Sequence, residues 1–214
     1  MVPRRSGVSG ALCWSLVFVV GTLVVQYFSA GGGITAQWRF TRSTYESGAW
    51  WQLLSAQVVH LGWVHAGVNA LGLVVLLRAF SQVVDGRLQA LALLGGYAGV
   101  ALVIALDSHC DRYAGASGAL HGLLAGNALA LLFTPRGAAQ AARARRVVGA
   151  LVLVTLAIKL GWQHPVPGAA SAPGWLGFAT YYPAHEAGAL GGCVAVLLAL
   201  WGGANRFAPS PGRP

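Results

Sequence analysis

The chain has 214 residues, of which 56% are hydrophobic and 9% charged, and its mean hydropathy is +0.63. Soluble globular domains carry about 25% charged residues, so this composition argues against a soluble fold and indicates a membrane protein. The formal net charge of +9 comes from arginines spread over short loops without an aromatic platform, which is better explained by membrane topology than by a nucleic-acid partner.

Six apolar segments follow one another along the chain, each near the roughly 20 residues that a helix needs to cross the hydrocarbon core. They cover residues 11–29, 64–80, 88–106, 114–133, 147–162 and 184–204. The first is longer than a usual signal-peptide core, so we interpret it as a span. No internal repeat is seen, and we predict one all-α membrane domain over residues 11–204, with a cytoplasmic N-terminus of residues 1–10 and a cytoplasmic tail of residues 205–214.

Lysine and arginine predict the orientation, because positively charged loops resist translocation. With the N-terminus inside, ten of these residues lie on the inner side and four on the outer side, so both termini are predicted inside. Two predicted outer loops, residues 30–59 and 163–183, are long and rich in aromatic residues. Such loops often lie in the membrane interface.

Ionisable side chains inside a membrane are costly, so those at the start of span two need a partner or a purpose. In HLGWVHAGVN, residues 60–69, His65 and Asn69 are four residues apart and share a helix face, whereas His60 points elsewhere. Interhelical hydrogen bonding alone would explain either residue. Their stacking at one membrane depth also fits a catalytic site.

Span four begins in AGASGALHGLLAG, residues 114–126, where glycines every fourth residue form a ridge that lets another helix approach. Ser117 lies beside this ridge, and its hydroxyl could simply bond to a carbonyl one turn earlier. Span six begins in AHEAGALGG, residues 184–192, where His185 lies above a stripe formed by Gly188 and Gly192. This stripe is suited to contact with the ridge on span four.

Spans two, four and six all run from outside to inside, so these polar residues lie at one depth below the outer surface. A serine needs a base to take its proton, and histidine is the usual base. Ser117 and His185 therefore predict a catalytic dyad, with His65, Asn69 and the N–H of Ser117 as possible oxyanion donors. Glu186 is turned about 100° from His185 on a helix and is badly placed to orient it.

Other chemistries fit less well. HEAGA at residues 185–189 lacks the second histidine of a zinc-protease HExxH, and GASGA at residues 115–119 is not a GxSxG elbow. Three scattered cysteines without CxxC spacing predict neither a disulfide framework nor a metal site, and no cofactor is expected. A non-catalytic membrane chaperone or transporter remains an alternative. Four polar residues are expected to be solvated loop residues: Asp107, His109, Asp111 and His164.

The three motifs, HxxxxHxxxN at 60–69, GASG at 115–118 and AHxxGxxxG at 184–192, resemble those of the rhomboid intramembrane serine proteases. The resemblance implies a six-span helical bundle acting on single-pass membrane proteins in the lipid bilayer. It also implies that the first outer loop lies partly in the membrane and that the loop before span six caps a water-filled site. The implied roles are nucleophile for Ser117, general base for His185, oxyanion donors for His65 and Asn69, and support for His60, Gly115, Gly118, His121 and Gly188.

Two residues depart from the family pattern. Gln52 follows Trp51 where many rhomboids have a Trp-Arg pair, so the first loop is expected to be held differently. His121 stands where many carry a tyrosine that stacks on the catalytic histidine, and we expect it to stack or hydrogen-bond rather than act as the base. The LHG that follows GASG resembles the rhombosortase branch, which implies a bacterial inner-membrane enzyme, open to the periplasm, that processes C-terminal tags containing Gly-Gly.

Overall fold

A computed structural model describes residues 19–29, 33–134, 138–164 and 179–204 as a helical bundle with a small two-stranded ribbon. The predicted cytoplasmic segments 1–10 and 205–214 lie outside the described residues. So do residues 11–18 of the first predicted span and residues 165–178 of the second predicted outer loop.

The elements follow the chain with short connections. The helices are α1 Val19–Ser29, α2 Gly33–Trp38, α3 Arg42–Glu46, α4 Gln52–Ser55, α5 Trp63–Phe80, α6 Gly86–Leu106, α7 Ser117–Phe133, α8 Ala139–Gln163 and α9 Pro183–Ala204. Strands β1 Phe40–Thr41 and β2 Arg112–Tyr113 pair antiparallel, with Phe40 opposite Tyr113. Residues 33–59, the described part of the first predicted outer loop, thus contain three short helices and one strand.

Three of the described helices are long and apolar enough to cross a membrane, over Trp63–Phe80, Gly86–Leu106 and Pro183–Gly202. Helices α1 and α7 are apolar but shorter. Helix α8 has 25 residues, and its polar side chains include Lys159 and three arginines in its first turns. The chain is therefore an integral membrane protein.

Two predicted boundaries need correction. Helix α7 begins at Ser117 rather than at residue 114, because Gly115 adopts a φ of 119° that a right-handed helix cannot continue through. Helix α8 begins at Ala139 rather than at residue 147. Its first turns are rich in alanine and arginine, which are strong helix formers but do not extend an apolar segment.

Local chemistry fixes several helix ends. The carboxylate of Asp85 accepts a hydrogen bond of 2.9 Å from the N–H of Arg87 and so caps α6. Pro183 is the first residue of α9, where its missing N–H removes no intrahelical bond. At the C-terminal end of α7, the hydroxyl of Thr134 donates to the carbonyl of Ala130, one turn earlier, at 2.7 Å.

Helix α7 is the centre of the bundle and packs against α5, α6, α8 and α9, while α6 also packs on α9. The contact between α7 and α9 runs through glycine. A Cβ atom on Gly118 would lie 2.7 Å from the carbonyl oxygen of Ala184, and one on Gly122 would lie 2.6 Å from that of Gly188. The two backbones therefore touch, which sets the N-terminus of α9 against that of α7.

The outward faces of the bundle are apolar. Four leucines on three different helices are each 60% to 68% exposed: Leu71, Leu94, Leu102 and Leu190. Exposed apolar surface of this extent fits contact with lipid. Four of the buried polar side chains lie at or just before the starts of α5 and α9: His60, His65, Asn69 and His185.

Candidate active site

A tight turn ahead of α7 positions the serine. Gly115 follows β2, and its N–H donates to the carbonyl of Ala56 at 2.8 Å. Its φ of 119° is one that residues with a side chain rarely adopt. A Cβ atom there would lie 2.6 Å from the Cε1 atom of His65 and 2.7 Å from its Nε2. Glycine at this position therefore lets His65 lie against the turn that precedes Ser117.

Ser117 and His185 meet across the contact between α7 and α9. The Oγ atom of Ser117 lies 2.9 Å from the Nε2 atom of His185, although 68 residues separate them in the chain. Ser117 is half-buried, and His185 is 7% exposed. A hydroxyl that donates to a neutral imidazole nitrogen can pass its proton to that nitrogen as the oxygen attacks, which is the arrangement for nucleophilic catalysis.

No carboxylate among the described residues contacts the other ring nitrogen of His185. Its Nδ1 atom is buried and has no hydrogen-bond partner among the described residues. The neighbouring carboxylate of Glu186 lies instead 2.8 Å from the Nδ1 atom of His164. The ring of Tyr182 stands edge-on to His185 at 5.9 Å between centroids, and that of His121 stacks on it at 4.2 Å. His185 therefore has aromatic contacts in the place where the histidine of a catalytic triad has a carboxylate.

The start of α5 brings two further polar side chains to the same end of the bundle. Both His65 and Asn69 are 6% exposed, and the side-chain amide of Asn69 donates to the carbonyl of His65 at 3.0 Å. The Nδ1 atom of His65 lies 3.5 Å from the backbone nitrogen of Leu61, whose N–H points at it, and this favours the tautomer with the hydrogen on Nε2. The Nε2 atom lies against Gly115, in the turn before Ser117.

His60 supports this ring. It is 2% exposed and stands edge-on to His65, with ring centroids 4.9 Å apart. Burial lowers the pKa of His60 to about 3, so the ring is neutral at physiological pH. In the described part of the chain, no three His, Cys, Asp or Glu side chains come together as metal ligands would.

His121 uses both of its ring nitrogens. Its Nδ1 atom lies 2.7 Å from the carbonyl oxygen of Ser117, one helical turn back, and its Nε2 atom lies 2.7 Å from the Nζ atom of Lys159 on α8. The ring plane is 13° from parallel with that of His185. Lys159 stands in no motif, and the only signal for it in the sequence is that it is the one lysine among 14 lysine and arginine residues.

Gln52 holds the first loop where many rhomboids have an arginine. Its side chain is 3% exposed, and its oxygen accepts from the N–H of Thr41 at 3.1 Å and from the hydroxyl of Thr44 at 2.8 Å. Its nitrogen donates to the carbonyl of Gln37 at 3.0 Å. One neutral amide thus connects α2, β1, α3 and α4 by giving and accepting hydrogen bonds.

Asp107 lies in the loop after α6, as expected, and its side chain is 28% exposed, but its carboxylate is also engaged in hydrogen bonds. The phenol of Tyr181, just before α9, donates to its carboxylate, and the N–H of His109 donates to the same group at 2.9 Å. These bonds, that of Tyr181 above all, hold the pKa of Asp107 below its ordinary value. The guanidinium of Arg42 donates hydrogen bonds to the carbonyls of Ile104 and Ala105 at the end of α6 and to that of Asp107, just after it. His109 itself is exposed, as expected.

Tyr113 is a second residue that sequence analysis missed. It is 7% exposed and stands edge-on to Tyr181, with ring centroids 6.4 Å apart. Burial raises the pKa of its phenol, while the N–H of Gly118 and the hydroxyl of Ser117 act in the opposite sense. Tyr113 is therefore a neighbour of Ser117. In the sequence, this could have been suspected only from its position four residues before the serine.

Residues 47–202 match the model of the family described as the Rhomboid domain. The matched region is well over half of the chain and includes the three motifs named above. Searches among curated proteins and among solved structures found no match.

Proposed function

The chain belongs to the rhomboid family of intramembrane serine proteases, and on this premise we propose that it cleaves membrane-anchored proteins with a Ser117–His185 dyad. The observation that carries the proposal is the 2.9 Å contact between the Ser117 hydroxyl and the Nε2 atom of His185. Glycines make the backbone contact between the two helices and so allow these side chains to meet.

In the first half of the reaction, Ser117 Oγ attacks the carbonyl carbon of the scissile peptide bond while His185 Nε2 takes the hydroxyl proton. The resulting oxyanion is stabilised by donors at the same end of the bundle: the Nε2–H of His65, the amide of Asn69 and the N–H of Ser117. As the first residue of α7, Ser117 has a backbone N–H with no partner within its own helix. His185 then gives its proton to the leaving amine, which departs and leaves an acyl group on Ser117.

In the second half, a water molecule or an amine attacks the acyl carbon and gives its proton to His185. The tetrahedral intermediate collapses, the bond to Ser117 Oγ breaks, and His185 returns the proton to that oxygen. Water yields hydrolysis, whereas an amine yields transfer to a new acceptor.

For the membrane arrangement we propose six spans within residues 11–204, with residues 1–10 and 205–214 in the cytoplasm. The excess of arginine in the predicted inner loops supports this orientation. The site then opens near the outer face of a bacterial inner membrane, toward the periplasm. The outer loops 30–59 and 163–183 flank it, and Gln52 fixes the first of them.

For the substrate we propose single-pass proteins of the rhombosortase type, which carry a C-terminal tag with a Gly-Gly-containing motif, one transmembrane helix and a basic tail. The support is His121 one turn after the serine, in the LHG of that branch. No cofactor or nucleic acid takes part in the proposed reaction.

The test reconstitutes the purified protein in lipid vesicles with a fluorescent single-pass substrate. One substrate carries the Gly-Gly motif and a matched one carries Val-Val at the same place. We expect cleavage of the first substrate, less of the second, and a loss of activity of at least a thousandfold in Ser117→Ala and in His185→Ala. Ser81→Ala, at the exposed end of α5, is the matched control and should cleave as the wild type does.

Equal cleavage of both substrates would remove the tag specificity while leaving the protease. Cleavage by Ser117→Ala at the wild-type rate would overturn the dyad. A wild-type protein that binds these substrates without cutting them would favour the non-catalytic membrane chaperone.

A further inference from the structure

Lys159 contacts the candidate site only by way of the His121 ring, which bonds to the carbonyl of Ser117 and not to its hydroxyl. Its Nζ atom lies 2.7 Å from the Nε2 atom of His121 and 3.0 Å from the side-chain oxygen of Gln163, one turn later on α8. The pair His121–Lys159 joins α7 to α8 at the depth of the Ser117–His185 contact. The chain has 13 arginines for this single lysine, so the residue is unusual for the sequence as well as for an apolar helix.

The hydrogen-bond partners of His121 define its protonation. The carbonyl of Ser117 can only accept, so the Nδ1 atom of His121 carries the hydrogen. A neutral ring then has a lone pair on Nε2, and the Lys159 ammonium, which can only donate, binds it there. A proton shared between an amine and an imidazole stays on the amine, the stronger base. Lys159 thus holds His121 as the neutral Nδ1–H tautomer.

The neutral state matters because His121 stacks on the proposed base. Ring centroids 4.2 Å apart put one imidazole face directly over the other. In the proposed mechanism His185 becomes a cation in each half-reaction. A neutral aromatic face beside it favours that charge, whereas a protonated His121 would oppose it. No carboxylate among the described residues holds His185 Nδ1, so the stack is its main orienting contact.

We propose that Lys159 is a positioning residue for the dyad: it fixes the tautomer and the plane of His121, and through that ring it orients His185. This inference rests on the proposed protease function. Lys159 touches neither substrate nor the reacting atoms in this account, and its effect passes through the His121 ring.

Lys159 is the cation placed to keep His121 neutral, as the side chains around the His121–His185 pair show. The other titratable side chains near the stacked pair include His65 on α5, Tyr113 before α7, Tyr182 just before α9 and Glu186 on α9, the last of which is engaged by His164. Helix α6 faces the same region with Gly99 and Val100, which carry no charge. Without Lys159, His121 could take a proton at Nε2 as the pH falls.

The test compares the pH profiles of kcat for wild type, Lys159→Met, Lys159→Arg and the control Gln163→Met, with a tagged substrate in vesicles. Loss of the ammonium removes a charge near His185 and lets His121 protonate, and both effects act on the acid limb of the profile. We expect this limb to move toward higher pH by about one unit in Lys159→Met, a tenfold loss at acid pH with little change at alkaline pH. Lys159→Arg and Gln163→Met should keep the wild-type limb.

A second variant guards against simple misfolding. His121→Phe keeps the aromatic stack but has no ring nitrogen, so adding Lys159→Met to it removes only the direct effect of the charge on His185. The limb should then move less than it does when Lys159→Met is made in the wild type. A Lys159→Met profile that is lower at every pH but unshifted would overturn the inference and leave Lys159 a structural link between helices. Failure of the proposed function is distinct, since it would appear as cleavage that does not depend on Ser117.

Discussion

The ring of His121 stacks on the ring of His185, nearly parallel to it. His185 is the residue whose Nε2 atom contacts the hydroxyl of Ser117, and His121 follows that serine by four residues. This places an aromatic face, rather than a carboxylate, behind the proposed base. An aromatic pair of this kind contributes about 0.5–1.5 kcal/mol beyond its buried area, a factor of roughly 2 to 10 in rate if it is lost in the transition state.

Replacing His121 tests the stack. We expect His121→Tyr and His121→Phe to retain most of the kcat at pH 8, because each keeps an aromatic face against His185. His121→Ala should lose about tenfold, since it removes that face and leaves a cavity. The measurement is kcat with the tagged substrate, with far-UV circular dichroism to show that the variants fold. Equal rates for Ala and Tyr would show that the stack does not matter.

Gly115→Ala tests the turn before the serine. Its added methyl would meet the ring of His65 and its φ is strained for alanine, so we expect a lower melting temperature and a loss of activity. The strain alone is about 1–2 kcal/mol, and displacement of His65 adds to the effect on kcat. The control is Gly67→Ala on α5, where nothing lies within 4 Å of the new methyl. Similar behaviour of the two variants would contradict this role for Gly115.

Tyr181→Phe tests the link between α6 and the segment before α9. The variant loses a hydrogen bond to the carboxylate of Asp107, which contributes about 1 kcal/mol in this partly exposed site. The bond lowers the pKa of Asp107 in the folded protein, so its stabilisation is present above the unfolded value of about 4. It is lost as the pH falls through the lowered folded value.

We therefore expect the melting temperature of Tyr181→Phe to lie below that of the wild type by the same amount at pH 7 and at pH 5. The interval between the two melting temperatures should shrink in stronger acid. Thermal unfolding in detergent measures it, and Asp107→Asn combined with Tyr181→Phe should cost less than the sum of the two changes. The control is Tyr27→Phe, an exposed tyrosine on α1. An interval that grew in acid would contradict the assignment of this bond to the charged carboxylate.

The residues in the three motifs could be predicted because their information is local. Helical spacing places His65 above Asn69, and the direction of alternate spans places the starts of α5, α7 and α9 at one end of the bundle. Glycines every fourth residue on two helices predict that those helices touch. The family resemblance drawn from these motifs is confirmed by the match to the Rhomboid domain.

The supporting contacts could not be predicted, because each of them joins polar residues that lie far apart in the chain, at least one of which lies outside any motif. Lys159 and His121 are separated by 38 residues, and Tyr181 and Asp107 by 74. Each partner is a single polar residue without a local pattern, so nothing in the sequence pairs them. The ribbon of β1 and β2 was missed for a similar reason, since two-residue strands are too short to show alternation.

The central claim is that His185 activates Ser117, and covalent labelling tests it most directly. The purified protein would be treated with a fluorophosphonate, which reacts with activated serines, and the modified residue located by mass spectrometry. We predict one label, on Ser117, that is absent in Ser117→Ala and slowed at least a hundredfold in His185→Ala. Labelling at the wild-type rate in His185→Ala, or a label on any other serine, would contradict the claim.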